Sequence, residues 1–212
     1  MKQVLKKSGT VQKGRSKVRT IAQVAMLGAV ATVLMLFEFP IPFLAPPFYE
    51  LDFSEVPVLI GAFAMGPIAG IAIEAVKILL NFVLNGTITA GVGEIANFLV
   101  GCAFLLPAAL VYRKKKTRKH AILGMIAGTV VMTTVACVLN AWILLPAYGI
   151  AFGMPVETFV EMGTAINGAI DSLFTFALLA VGPFNLLKGL LVSGIVLLLY
   201  KRIRVILRGD YS

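Results

Sequence analysis

Seventeen of the nineteen lysines and arginines in this chain fall in three clusters, and the apolar runs between the clusters are long. Seven precede Ile21, six lie in residues 113–119, and four follow Tyr200; only Lys77 and Lys188 lie elsewhere. Lipid imposes this pattern. About 20 apolar residues cross the hydrocarbon layer, and the cytoplasmic ends of spans collect Lys and Arg. Composition agrees, with 59% of the 212 residues hydrophobic and 14% charged, against about 25% charged in a soluble domain. The net charge of +9 therefore belongs to membrane topology and not to nucleic-acid binding. The expected fold is an all-α integral membrane protein of six transmembrane helices, with both termini cytoplasmic. A basic tail is expected over residues 1–20, the six-helix domain over 21–203 and a cytoplasmic C-terminal tail over 204–212.

Residues 21–37 are the first apolar run. The small-residue triplet Ala29-Val30-Ala31 sits inside it and not after it, so it reads as a retained helix and not as a cleaved signal. Residues 38–52 contain Pro40, Pro42, Pro46 and Pro47, which together forbid a regular helix. An ordered extracellular lid is expected there, with Phe43, Pro47, Phe48 and Tyr49 on its apolar underside. Residues 53–83 are too long for one untilted span, and Gly66-Pro67 divides them into helices of about 54–65 and 67–84. The second helix carries Glu74, Lys77, Asn81 and Asn85 along one stripe. Lys77 falls near the bilayer centre, where Glu74 one turn away is its expected partner. A structural ion pair is favoured there over a ligand contact. Further spans are expected over 94–112, 121–146 and about 178–200. A polar loop at 85–93 and a connection at 148–175 with a short surface helix complete the chain.

The last span opens on Gly182-Pro183-Phe184-Asn185-Leu186-Leu187-Lys188-Gly189, with Pro183 as its expected start. Asn185 and Lys188 lie three apart, on one face. A lysine there either snorkels or pairs with a carboxylate, or it joins Asn185 in donating hydrogen bonds to a polar ligand held between helices. With the basic clusters inside, Glu94, Asn97, Asn140, Asn185 and Lys188 all fall in the outer half, beneath the lid. Their convergence predicts a small-molecule pocket; the alternative is that the asparagines only tie helices together. Gly66–Gly70 and Gly124–Gly128 have the spacing of close helix packing. Cys102 and Cys137 lie inside apolar runs and read as small buried residues, and the single histidine, His120, belongs to a basic loop. No metal site and no cofactor is expected. The chain has no phosphate-binding G-x-x-x-x-G-K-[ST] loop, no H-E-x-x-H and no G-x-S-x-G. A catalytic role, ATP hydrolysis included, is therefore not expected of this chain.

Jointly, several segments resemble the substrate-binding S components of energy-coupling factor (ECF) vitamin transporters, most closely the riboflavin-specific type. They are Phe37-Glu38-Phe39-Pro40, Leu51-Asp52-Phe53-Ser54-Glu55-Val56-Pro57, Gly66-Pro67 with Glu74 and Lys77, Ala96-Asn97-Phe98-Leu99, Leu144-Leu145-Pro146 and the 182–189 segment. The resemblance runs from Ile21 to Tyr200. It implies a lidded outward pocket in a bacterial plasma membrane, riboflavin as transported ligand, and partnership with a transmembrane coupling subunit and two cytoplasmic ATPases. It further implies that Asn140, Asn185 and Lys188 meet the ligand, and that an alanine motif on helix one, here Ala25-Met26-Leu27-Gly28-Ala29, meets the coupling subunit. Ala22, Ala25 and Ala29 share a face, and Gly28 is expected to extend that shallow strip. Asparagine amides and a lysine ammonium suit a flavin's polar edges and hydroxyl chain. The lack of arginine in the expected pocket favours the free vitamin over a phosphorylated one. Two rival readings stand beside this: an S component for another vitamin or heterocycle, and a stand-alone carrier or membrane enzyme that moves protons through Glu74, Lys77 or Glu94.

Overall fold

The computed structural model describes residues 2–87 and 91–208, with side chains described over 17–87 and 91–200 and at Arg202. Residues 88–90 of the expected polar loop and 209–212 of the expected C-terminal tail lie outside the described residues. Helix α1 runs Lys2–Met35, so the basic stretch expected as a separate tail is continuous with the first span. After it, the proline-rich segment forms a minimal hairpin and not only irregular loop. Strand β1 (Phe39–Pro40) pairs antiparallel with β2 (Glu50–Leu51), setting Phe39 opposite Leu51 and Pro40 opposite Glu50. Pro40 has no N–H to donate, which helps to keep the ladder to these two rungs.

Helix α2 (Glu55–Met65) ends at Gly66, whose φ of 100° suits only glycine, and α3 (Pro67–Asn85) begins at once with proline in its first turn. Helix α4 covers Val92–Lys114 and α5 covers Arg118–Leu139. Among the described residues, five helices are long and apolar enough to cross a membrane: Lys17–Met35, Pro67–Asn85, Val92–Lys114, Arg118–Phe152 and Leu173–Tyr200. The 11 residues of α2 span only about 16 Å, short of a full crossing.

Two expected helix boundaries are overturned. The fifth span does not end at Pro146. It passes through a π-helical turn, π1 (Asn140–Leu144), into α6 (Leu145–Phe152). The last span does not start at Pro183. It starts with α8 (Leu173–Phe176), widens through a second turn, π2 (Ala177–Val181), and continues as α9 (Gly182–Arg208). The reason is the same in both. A proline ring clashes with the carbonyl four residues before it; those carbonyls belong to Trp142 and Leu179, each inside a π turn that moves it aside. Lys188 is therefore well inside its helix and not in the first turns. Between the two spans lies the short helix expected on the surface, α7 (Val156–Ile166).

The core joins Leu59, Ile73, Phe104, Leu105, Met125, Met132, Val192 and Val196. Apolarity does not distinguish protein from lipid tails, so close backbone approach matters most here. Gly124 supplies it, since a Cβ there would sit 2.6 Å from the Ala108 carbonyl oxygen; one on Gly128 would collide with the Phe104 carbonyl. The α4–α5 contact is thus set by that glycine pair. Of the other pair only Gly70 packs, against Ala62, while Gly66 serves the turn.

Candidate ligand-binding site

The helices and the proline-rich hairpin segment, expected as the lid, line a cavity of about 560 Å³, within the range usual for small-molecule sites. Its walls include Asn81 and Asn85 on α3, Glu94 and Asn97 on α4, Asn140 and Leu144 on π1, Phe184, Asn185 and Lys188 on α9, and Pro47, Phe48 and Tyr49 on the hairpin segment, with Met35 of α1 and Tyr148 of α6 beside them. All five predicted polar residues meet there. Of the four predicted lid residues, Phe43 does not; it is 82% exposed and outside the lining, because the hairpin turns it away from the helices. A smaller cavity of about 330 Å³ lies elsewhere, between the Gly66-Pro67 turn and Arg113 and Lys116. None of the predicted polar residues lines it.

The two π turns touch each other and shape the wall. The Asn140 Nδ2 donates to the Ala136 carbonyl and the Asn185 Nδ2 to the Val181 carbonyl, both at 2.9 Å. Each asparagine thus spends its amide group on the backbone one turn earlier and turns its acceptor elsewhere. The Tyr49 hydroxyl donates to the Asn140 Oδ1, joining lid to wall, and burial pushes that hydroxyl's pKa well above the usual value, so it stays a donor. Cys137, expected to be buried, is only half-buried, as is Cys102. The Cys137 thiol donates to the Ala177 carbonyl of π2 at 3.1 Å, a further tie between the two bulged helices.

Lys188 pairs with Asp52 at 2.7 Å, and the Ser54 backbone N–H donates to the other Asp52 oxygen at 2.7 Å. Burial alone would raise the Asp52 carboxyl, but Lys188 first and Lys77 next reverse this and hold it at about 2. Glu38 and Glu50 also line the cavity, and neither was singled out in the sequence. Burial, then the charges of Glu50 and Asp52, push the Glu38 carboxyl up to about 7 against the opposing pull of Lys188. Below the cavity, one turn along α3 from Asn81, Lys77 stands 2.7 Å from Glu74, the predicted partner, and 2.7 Å from Glu55. Glu55 was missed because α2 is remote from Lys77 in sequence. A free acid at the head of an otherwise apolar helix was the available signal.

On α1, Ala22, Ala25 and Ala29 all face outward and exposed. Gly28 does not extend that strip: it is buried, and a Cβ on it would lie 2.5 Å from Val76 of α3.

Residues 19–200 match the family described as ECF transporter, substrate-specific component. The chain belongs to this family. This S component is 39% identical over 185 residues to the riboflavin transporter RibU of Staphylococcus aureus (strain TCH60), covering 87% of this chain and 90% of that protein. It is 34% identical over 189 residues to the riboflavin transporter FmnP of Bacillus subtilis (strain 168), covering 89% and 93% respectively. A solved S component of a bacterial ECF transporter superposes with a TM-score of 0.72 at 38% identity, over 91% of this chain and 99% of that one. The relatives are bacterial and the spans are apolar, which makes this S component a multi-pass protein of the bacterial plasma membrane.

Proposed function

We propose that this S component is the riboflavin-binding subunit of an ATP-driven vitamin importer, and that the cavity beneath the lid is its ligand site. One observation carries the reading: Asn140 and the Asn185–Lys188 pair, remote from each other in sequence, come together with Asn97 and Glu94 under the aromatic lid residues Phe48 and Tyr49. A flat ring with polar edges fits such a chamber, because aromatic faces cover the ring while amides and an ammonium meet its carbonyls, ring nitrogens and hydroxyls. Lys188 has three N–H donors and gives one to Asp52, which leaves it able to donate to a ligand. Asn140 accepts from Tyr49, so a ligand takes or shares that bond. The names of the relatives supply the vitamin.

In this reading α2 counts as the sixth transmembrane helix, with the lid completing its crossing. The basic ends of the spans face the cytoplasm and the lid faces outward. The exposed strip of Ala22, Ala25 and Ala29 receives the coupling subunit, because small side chains let a foreign helix approach closely in lipid. ATP is hydrolysed by two separate cytoplasmic subunits. No covalent chemistry falls to this chain.

The test is a titration of the purified protein with riboflavin, followed by flavin absorption and fluorescence. Saturable one-to-one binding, weakened at least tenfold by Asn185→Ala, is expected. A protein that neither perturbs the flavin spectrum nor saturates is not a riboflavin carrier.

A further inference from the structure

The smaller cavity lies at the other end of the helices, where the basic residues gather. It takes the start of α3 and the end of α4, whereas the ligand cavity takes the end of α3 and the start of α4, and the two share no lining residue. Arg113 and Lys116 line it, and neither has an ion-pair partner among the described residues. No acid is near them in sequence either, since none occurs in residues 56–73 or 95–156. Part of the lining is bare backbone. No atom lies within 4 Å of the place where a Cβ on Gly66 would sit, so the α2–α3 turn is open to this space. Helix α3 begins there with no side-chain cap, which leaves N–H groups that favour an anion. The rest of the lining is mainly apolar. Phe63 and Tyr112, with ring centroids 4.6 Å apart, join α2 to α4 within it, and Ile68 is 83% exposed.

Two cations without carboxylate partners, open backbone and an exposed aliphatic side chain in one cavity match a phosphate ester carried on an acyl chain. The depth agrees. Arg113 is the last residue but one of α4 (Val92–Lys114) and follows directly on the apolar part of that span, at the level where headgroups begin. We propose that this cavity binds the headgroup of an anionic phospholipid, with Arg113 and Lys116 on its phosphate and Ile68 against its acyl chain. The planar fork of Arg113 suits two phosphate oxygens, and Lys116 adds a point charge. The amides at the start of α3 serve the same group. A volume of about 330 Å³ admits a headgroup and not a whole lipid, so the chains stay in the bilayer. Lys116 belongs to the connection between α4 and α5, so a bound lipid ties that connection to the α2–α3 turn. The site draws only on the membrane setting, whatever the ligand cavity holds.

Native mass spectrometry of the purified protein in a neutral detergent tests this, with dioctanoyl phosphatidylglycerol as the probe. One molecule per protein is expected to be retained, about tenfold or more tightly than dioctanoyl phosphatidylcholine, which carries no net charge. Arg113→Gln with Lys116→Gln is expected to weaken retention at least about tenfold. Lys114→Gln with Lys115→Gln removes the same charge from the same basic stretch, outside the cavity, and is expected to leave retention within about twofold. All four side chains are exposed, so neither double variant disturbs the core, and circular dichroism checks the helices. Equal losses in the two double variants show diffuse attraction to a basic surface and overturn the site. Phosphatidylcholine held as firmly as phosphatidylglycerol, or no lipid retained, overturns it too. Inorganic phosphate at the lipid's concentration is expected not to displace the lipid; displacement makes a free anion the ligand and overturns the lipid assignment.

Discussion

Two lysines enter the apolar region of this chain, and both are held by acids from one four-residue stretch, Asp52 to Glu55. That placement changes what a substitution at Lys188 does. Removing one member of a buried ion pair leaves the other charge stranded, at a cost of roughly 3–5 kcal/mol in a fully buried setting. Lys188 is 11% exposed, which puts Lys188→Ala toward the lower end of that range. Adding Asp52→Asn to it is expected to restore most of the stability, because no unpaired carboxylate remains. Riboflavin affinity is expected to stay about ten- to a hundredfold down in both, if Lys188 also donates to the ligand. Thermal unfolding and flavin titration of the single and double variants separate the two effects. Equal recovery of stability and affinity in the double variant shows that Lys188 serves the lid alone. The pair has an acid signature too. The Asp52 pKa of about 2 lies below its unfolded value of 3.8, so its contribution is present above about pH 4 and is lost as pH falls through 2.

At the scale of elements, the lid hairpin carries the opposite titration. Glu38 precedes β1, with Glu50 on β2 and Asp52 just beyond it as acidic neighbours and Lys188 as the opposing charge. Its folded pKa of about 7 lies above the ordinary glutamate value of 4.5, so ionising it disfavours the folded lid. The hairpin is favoured at low pH and loses that advantage as pH rises from about 4.5 through 7. Hydrogen exchange of residues 39–51, corrected for intrinsic rates, is expected to show protection falling across that interval, and Glu38→Gln is expected to remove the step. A step that persists in the variant assigns it to another group. The π turns belong to this scale as well. Their prolines punctuate the sequence like helix ends, but inside the membrane an ended helix would expose backbone groups with no water to receive them. Widening one turn keeps the chain helical and admits the proline. It also sets Asn140 and Asn185 against one cavity.

For the whole molecule, the exposed alanine face of α1 separates binding from transport. The cavity is lined by Met35 at the far end of that helix, with Ala25 and Ala29 well away from it. Ala25→Trp or Ala29→Trp is therefore expected to leave riboflavin affinity of the isolated subunit within about twofold, and to abolish uptake by cells that hold the coupling subunit and ATPases. Uptake that survives both substitutions assigns the strip to lipid. Binding that collapses with uptake assigns it to internal packing, the role that Gly28 already fills against Val76.

Lipid makes some of this legible from residues alone. A bilayer tolerates few patterns, so the basic clusters and apolar runs identify the spans, and Gly66-Pro67 marks the α2–α3 turn because only glycine suits its φ and only proline lacks the donor that a first turn leaves unused. The polar residues of the cavity were legible for a related reason: side chains such as Asn140, Asn185 and Lys188 are costly in lipid unless they face protein or water. What the sequence leaves undecided is which charges meet. Lys77 has Glu74 one turn away, visible from helical spacing, but Glu55 and Asp52 reach the two lysines across 22 and 136 residues of chain. Phe43 and Gly28 likewise depended on the turn of a hairpin and the crossing of two helices, and both expectations failed there. Local spacing decides what shares a face of one helix; only packing of helices against one another and against the lid decides which carboxylate an ammonium finds.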